Sequence, residues 1–269
     1  EHSEIPAGFD DWLYVTQLNQ ARAVQTGVEW FRSRQPVCMG ALYWQLNDCW
    51  PVTSWAAIDG DGRPKPLWYA TRKFYADRIV TIQPEVDGKL YAYIINDTLE
   101  AWNGQLFLGK INFNWTQGPG GWKTVFIPPR SVLQVPLAYY SKLAGQKSTD
   151  EETKIHSNSE LIMVQLGQHR AFWYFDVDKN LAYPEASFDT SVKAEGTKYS
   201  VTVTAKNFVR DLALFADRLD EHAVVNDQLV TLLPGESFTF TFESQKQFPE
   251  KALTTPPVLQ CANRFGKKS

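Results

Sequence analysis

The residues of this sequence best suited to chemistry follow one short apolar run. The run Gly-Ala-Leu-Tyr-Trp-Gln-Leu at 40–46 ends in Asn-Asp-Cys-Trp-Pro at 47–51. Polar groups, an aromatic ring and a helix-incompatible proline therefore come where a predicted strand ends, as they do at the active-site mouth of a barrel. An indole offers a flat apolar face for the C–H groups of a sugar and an N–H donor for a hydroxyl, although core packing is the commoner role of a tryptophan.

Five residues here are candidate substrate contacts: Trp44, Asn47, Asp48, Trp50 and Trp55. Trp44 either faces the mouth of a barrel, where its indole stacks on a sugar, or fills the barrel core. Asn47 and Asp48 either hydrogen-bond sugar hydroxyls or only fix the turn. Trp50 and Trp55 are predicted cleft walls, with packing as the alternative role for at least one of them.

Hydrolysis of a glycosidic bond requires two carboxyl groups, about 5–5.5 Å apart in a retaining enzyme. In the barrel-like part of the sequence, Glu29 falls near the end of a predicted helix and points away from a strand-end cleft. Asp59 and Asp61 flank Gly60 in a turn, where carboxylates commonly cap the backbone. Only Asp48 is placed like a site residue, and one carboxylate does not make a catalytic pair.

Two helices and one strand must position these residues. A helix is predicted from the acidic pair Asp10-Asp11, which can cap it, to residue 34. A buried strand at 40–46, a loop at 47–66 and a second helix opened by Pro66 follow. This order is typical of the closing end of an α/β barrel. The apolar stripe of the first helix is Tyr14, Leu18, Ala21, Val24, Val28 and Phe31.

From about residue 82 the pattern changes to short alternating runs separated by turn residues, which indicates β-sandwiches. The runs of a first sandwich are 89–96, 105–113, 123–127, 131–137 and 161–166, with a long polar loop at 142–160. Those of a second are 190–195, 198–208, 211–215 and 228–244, with a turn at Pro234-Gly235. The predicted domains are therefore 1–80, 81–185 and 186–269.

Composition excludes several classes of partner. The 269 residues carry a formal net charge of −3, so no basic surplus exists for nucleic acid. No apolar run approaches the roughly 20 residues of a membrane span. Cys38 and Cys49 fall at opposite ends of the predicted strand, about 20 Å or more apart, which is too far for a disulfide. Buried free thiols are expected, and the pairing of Cys261 is left open.

The termini and sequons bear on processing. The first residue is Glu1, with no initiator methionine and no signal-peptide pattern, so a start inside a longer polypeptide is expected. Asn96-Asp-Thr98 and Asn114-Trp-Thr116 are glycosylation sequons. We therefore expect glycans at Asn96 or Asn114 and a secreted protein, with a lysosomal or vacuolar location as the alternative.

The segment 40–51, GALYWQLNDCWP, resembles the last barrel strand of the β-mannosidases of glycoside hydrolase family two. The likeness continues through Ser54-Trp55, Ile58-Asp59, Lys65 and Trp68-Tyr69. It is strong over about residues 8–80 and weaker over 81–269. One departure is that Gly60 and Pro64 stand where many family members have aromatic residues, which puts sugar contacts through those two positions in doubt.

The resemblance implies a fold and an activity. The fold is the C-terminal part of a (β/α)8 barrel followed by two immunoglobulin-like β-sandwich domains. The activity is a retaining exo-β-mannosidase that removes terminal non-reducing β-D-mannose from β-mannosides and manno-oligosaccharides, with no metal or organic cofactor. Both catalytic glutamates of the family would precede Glu1, so the upstream N-terminal segment of the same enzyme is the expected partner.

Two alternatives remain at this point. The chain could be a non-catalytic carbohydrate-binding or structural module that uses its tryptophan-rich sandwiches. It could also be a β-galactosidase-like or β-glucuronidase-like hydrolase of family two. The run Trp-Gln-Leu-Asn-Asp at 44–48 favours the mannosidase branch.

Overall fold

A computed structural model of the chain describes residues 6–86, 88–115, 117–141 and 158–266. These residues form two compact units. The first contains the described residues up to Gln25, Tyr43–Arg72 and those from Tyr183 onward; the second contains Thr26–Leu42 and the described residues of Lys73–Ala182. Most of the polar loop predicted at 142–160 lies outside the described residues, and the domain limits 1–80, 81–185 and 186–269 stay a prediction.

Both long helices form as the apolar spacing predicts. Helix α1 is Phe9–Ser33 and helix α2 is Pro66–Phe74. The α1 stripe is buried at Tyr14, Leu18, Ala21 and Val28, whereas Phe31 at its end is exposed. In the first unit, Tyr14 and Leu18 pack with Phe215 and Ala262. The early part of α1 therefore shares a core with the C-terminal residues of the chain.

The acidic pair at the start of α1 lies in its first turn, as expected, but its side chains contact arginines of the C-terminal region. Asp10 accepts a hydrogen bond of 2.6 Å from Nη1 of Arg218, and Asp11 accepts one of 3.1 Å from Nη1 of Arg264. The prediction that these carboxylates cap the helix is corrected accordingly.

The second unit is built from two antiparallel sheets around one core. One sheet has the order β1-β2-β5 and the other the order β4-β3-β6-β7. Residues of both sheets, among them Val80, Ile94, Leu106 and Val164, form a single buried cluster. The strands are β1 Arg78–Pro84, β2 Lys89–Asn96, β3 Trp102–Asn112, β4 Gln117–Ile127, β5 Ser131–Ser141, β6 Glu160–Leu166 and β7 His169–Tyr174.

The C-terminal part of the first unit also has two three-stranded sheets, with orders β12-β9-β8 and β11-β10-β13. Val201 of β9, Leu212 of β10 and Phe240 of β12 belong to one core cluster. Its elements are β8 Phe188–Glu195, β9 Lys198–Ala205, β10 Val209–Leu214, β11 Val230–Leu232, β12 Ser237–Glu243, α3 Glu250–Thr254 and β13 Leu259–Gln260. The chain is thus mostly β-sheet with few helices, as the alternating runs predict.

The predicted buried strand at 40–46 is wrong for the described chain. Residues 40–46 form no strand, and the nearest pairing is an isolated bridge between Asn47 and Ile58. Leu42 and Leu46 are 93% and 58% exposed. A strand requires a neighbour that satisfies its backbone groups along its length, but within 40–46 the backbone hydrogen bonds from residues 57–58 reach only Gln45 and Leu46 in the part of the chain that the structure describes.

The three cysteines are free. The prediction that Cys38 and Cys49 do not bridge is confirmed. Cys261 is buried, but Cys38 is half-buried and Cys49 is exposed. The prediction that the free thiols are buried is therefore correct only for Cys261. As to membranes, no helix of the described residues is both long enough and apolar enough to cross one.

Asn96 has a structural role at the end of β2. Its side chain is fully buried, and Nδ2 donates to the carbonyls of Glu100, Pro128 and Ile127 at 2.8, 3.0 and 3.3 Å. Its Oδ1 accepts a hydrogen bond of 2.7 Å from Thr98. A glycan on Asn96 does not fit this packing, so the expectation of glycosylation there is corrected; the other sequon asparagine, Asn114, is exposed.

We predict that Asn96→Ala lowers the free energy of unfolding by about 3 kcal/mol, because buried carbonyls lose their donor. Urea denaturation of the variant and the wild-type chain measures this. Asn114→Ala, at the exposed sequon, is the matched control and should change the value by less than about 0.5 kcal/mol. Equal effects of the two substitutions would contradict the role given to Asn96.

Candidate functional site

The loop between residues 43 and 66 is organised around the carboxylate of Asp48. Asp48 is 6% exposed, and Ser54 Oγ lies 2.7 and 2.6 Å from its two oxygens. Gln45 Nε2 donates to Oδ1 at 3.3 Å, and Lys65 Nζ lies 3.6 Å from Oδ2. The hydrogen bond from Ser54 is the largest influence and lowers the pKa of Asp48; burial opposes it, and the charge of Lys65 adds to it. Asp48 is therefore an ionised hub that holds the loop.

Backbone hydrogen bonds join the two ends of this loop. Ile58 N donates to Leu46 O at 2.9 Å, and Asp48 N donates to Ile58 O at 3.0 Å. Lys65 N donates to Ala57 O at 2.9 Å, and Ala57 is fully buried. The segment around residue 46 is thus fixed against residues 57–58 although it belongs to no sheet.

The tryptophans of the loop point into solvent. Trp44 is 73% exposed, and Trp50 and Trp55 are each 62% exposed. The backbone carbonyl of Trp55 accepts a hydrogen bond of 2.6 Å from Gln20 of α1. Asn47 donates from Nδ2 to the carbonyl of Asp48 at 3.0 Å. The structure therefore places the predicted site residues on one loop that is fixed by hydrogen bonds. Asp48 is buried in this loop, and the three indoles are exposed to solvent.

The turn at residues 59–63 of this loop is capped as its sequence predicts. Asp59 Oδ1 accepts from the backbone N–H groups of Asp61 and Arg63 at 3.0 and 2.8 Å. Its Oδ2 accepts from Arg63 Nε at 2.9 Å. An added Cβ at Gly60 would lie 2.4 Å from the carbonyl carbon of Trp50 and 2.7 Å from the nitrogen of Pro51. Only glycine allows this approach, so Gly60 sets the position of Trp50.

Ser54 and Lys65 are not among the site residues predicted from the sequence. Both belong only to the segment that resembles a known family. The structure makes both of them partners of Asp48. The sequence contains a hydroxyl, Ser54, six residues after the carboxylate of Asp48 and a lysine, Lys65, further along the same loop. Neither spacing is regular enough to predict contact without a known loop conformation.

We predict that Gly60→Ala displaces the backbone at Trp50 and Pro51 and lowers the free energy of unfolding by about 1–3 kcal/mol. Chemical denaturation measures the change in stability. Gly40→Ala is the matched control, because an added Cβ there meets nothing within 4 Å. A Gly60→Ala variant as stable as the control would contradict the close approach.

We predict that Cys49 is alkylated by iodoacetamide at pH 8 while Cys261 is protected. Burial raises the pKa of the Cys261 thiol to about 11, so only about 0.1% of it is thiolate at this pH, and the thiolate is the nucleophile. Mass spectrometry of peptides locates the label, and the urea-unfolded chain, in which all three thiols should react, is the control. Equal rates at Cys49 and Cys261 in the folded chain would contradict the packing.

Comparison with known proteins gives a consistent set of relatives. No family model matches the chain. β-Mannosidase B of Aspergillus flavus is 26% identical over 265 residues, which cover 91% of this chain and 30% of that protein. Mouse β-mannosidase is 38% identical over 109 residues, which cover 36% of this chain and 12% of the mouse protein. The chain thus spans less than a third of the curated relatives it matches.

Solved structures share the fold. The crystal structure of a β-D-mannosidase from Dictyoglomus thermophilum has a TM-score of 0.76 at 24% identity, covering 99% of this chain and 31% of that chain. An exo-chitosanase of Amycolatopsis orientalis has a TM-score of 0.56 at 17% identity, covering 96% of this chain and 34% of that chain. The sequence matches and the structural matches both include proteins named as β-mannosidases.

Proposed function

We propose that this chain is the C-terminal segment of a retaining exo-β-mannosidase, a glycoside hydrolase of family two that acts on terminal non-reducing β-D-mannose. The observation that carries the proposal is a loop with three exposed tryptophans, held on a buried carboxylate, in a chain similar to β-mannosidases over 91% of its length. Exposed and fixed indoles are suited to sugar rings, and the relatives indicate which sugar.

In this proposal the residues up to about 80 are the closing part of a (β/α)8 barrel. The apolar residues after the first helix support it, since Val37, Met39 and Leu42 of the second unit are exposed. Contiguous exposed apolar side chains mark a surface that another part of a protein covers. The occupant that we propose is the upstream segment of the same enzyme.

The C-terminal sheets are proposed to form two immunoglobulin-like sandwiches, at 81–185 and 186–269. Their two-sheet organisation supports this assignment.

The two carboxyl groups of the reaction would come from the upstream segment. One carboxylate attacks the anomeric carbon as the leaving oxygen takes a proton from the other; water then releases mannose from the covalent intermediate. This chain supplies a wall of the pocket. Trp44 stacks on the sugar that is cleaved, Asn47 hydrogen-bonds a hydroxyl, and Trp50 and Trp55 line the cleft. Asp48 acts by holding these residues.

We also propose passage through a secretory pathway, to the outside of the cell or to a lysosome or vacuole. The exposed Asn114, in its sequon, supports this proposal. Peptide mapping of the natural protein checks it, since an unmodified Asn114 in secreted material would remove the argument.

The activity is tested on the complete protein with a panel of nitrophenyl glycosides. We expect hydrolysis of the β-mannoside, with the β-galactoside and the β-glucuronide at least about a hundredfold slower in kcat/KM, a difference of about 2.7 kcal/mol. A preference for either of the other glycosides, or the absence of hydrolysis, would overturn the proposal.

We predict that Trp44→Ala in the complete enzyme lowers kcat/KM on the β-mannoside by a hundredfold to a thousandfold, or about 3–4 kcal/mol, because stacking is lost in the transition state. The fold should persist in a thermal melt. Trp30→Ala, at a partly exposed tryptophan of α1, is the control and should retain activity. A Trp44→Ala variant that melts early but keeps wild-type efficiency per folded molecule would show instead that Trp44 is barrel core.

A further inference from the structure

A groove on the second unit lies among strands β3, β4 and β6. Its volume is about 330 Å³, and it is open to solvent between Trp122 of β4, Gln105 of β3 and Gln165 of β6. This volume is at the lower end of the range of about 300–1,000 Å³ for ligand pockets. None of the residues 40–66 takes part in it.

Strand register places these three side chains on one face of the four-stranded sheet. Phe107 of β3 lies opposite Trp122 on one side and opposite Gln165 on the other. Gln105, two residues before Phe107, projects from the same face because side chains alternate along a strand. An aromatic ring and two amides therefore converge on the same surface.

The aromatic ring in the groove is exposed but supported. Trp122 is 67% exposed, and its ring centroid lies 5.3 Å from that of Phe107 at an interplanar angle of 57°. Phe107 is itself 5% exposed. The buried ring of Phe107 thus packs against the exposed indole of Trp122. This contact fixes the position of the indole in the absence of a ligand.

The amides are held in the same way. Gln105 Nε2 donates to Thr124 Oγ1 at 2.9 Å, and Gln165 Nε2 donates to the carbonyl of Gly167 at 2.9 Å. None of the residues that line the groove is ionisable. Preorganised neutral amides beside an indole match a ligand that is uncharged, rich in hydroxyls and flat and apolar on one side.

We propose that this groove is a second carbohydrate site, which binds a neutral oligosaccharide with one sugar ring on Trp122 and its hydroxyls on Gln105 and Gln165. A peptide is the less suitable occupant, because an added peptide strand pairs along a sheet edge, whereas these residues lie on the face of the sheet. The choice of a β-1,4-linked manno-oligosaccharide as the probe rests on the proposed function.

The test is a titration of the 269-residue chain with mannohexaose, followed by NMR of the indole N–H groups. We expect saturable binding that Trp122→Ala weakens at least about tenfold. Trp30→Ala is the matched control: Trp30 is also an exposed tryptophan, at 42%, but lies outside the groove, and its loss should leave this binding unchanged. Gln165→Leu, which removes an amide from the groove, is the second variant if circular dichroism shows that Trp122→Ala does not fold.

The remaining outcomes separate this proposal from the mannosidase assignment. If cellohexaose binds and mannohexaose does not, and the binding requires Trp122, the groove is an oligosaccharide site. The same result would count against a mannoside as its ligand. Absence of binding of both hexasaccharides would overturn the groove. So would binding that neither Trp122→Ala nor Gln165→Leu weakens, or Trp122-dependent binding of an apolar peptide alone.

Discussion

The buried carboxylate of Asp48 is the constraint on which the 43–66 loop depends. It receives hydrogen bonds from Ser54 and Gln45 and faces the ammonium group of Lys65, which is itself 12% exposed. These partners come from three points along a loop with no helix or sheet of its own. Because buried charge must be paired, one carboxylate fixes all three points. The exposed indoles then gain defined positions, which stacking on a sugar requires.

The C-terminal sandwich of the first unit supports this loop through α1. Gln20 of α1 donates to the Trp55 carbonyl, and Arg22 pairs with Asp211, which lies in β10 where the strand's register shifts. The backbone of Asp211 has a φ of 50°, a conformation uncommon outside glycine, and its carboxylate and carbonyl are both bound by side chains of α1, Arg22 and Tyr14. The C-terminal sheets thus fix the helix that is hydrogen-bonded to the loop. Residues remote in sequence therefore help to position the loop.

Sequence reasoning succeeds here wherever structure follows from local periodicity. The spacing of Tyr14, Leu18 and Ala21 predicts α1, and Pro66 marks the start of α2. Alternation predicts β2 at the residues where it is observed and the start of β9 at Lys198, although β9 ends at Ala205 and not at 208. Pro234-Gly235 separates β11 from β12.

Sequence reasoning fails where structure depends on partners distant in sequence. Residues 40–46 have the composition of a buried strand, but no described strand pairs with them. Strand β7 is absent from the predicted strands. It follows β6 directly, through a tight turn at Gly167, whose φ is 60°. The sequence leaves two roles open for Asp48, a hydrogen bond to a sugar or fixing of the turn, and its hydrogen bonds in the structure support the second. That distinction required the positions of Ser54 and Lys65.

The proposed pocket is best tested by a crystal structure of the complete protein with a mannose-configured inhibitor. We expect the Trp44 indole to lie face-on to the sugar ring, within about 4 Å, while Asp48 stays bonded to Ser54 and does not touch the inhibitor. An inhibitor bound with none of residues 44–55 in contact would show that this loop is not part of the pocket.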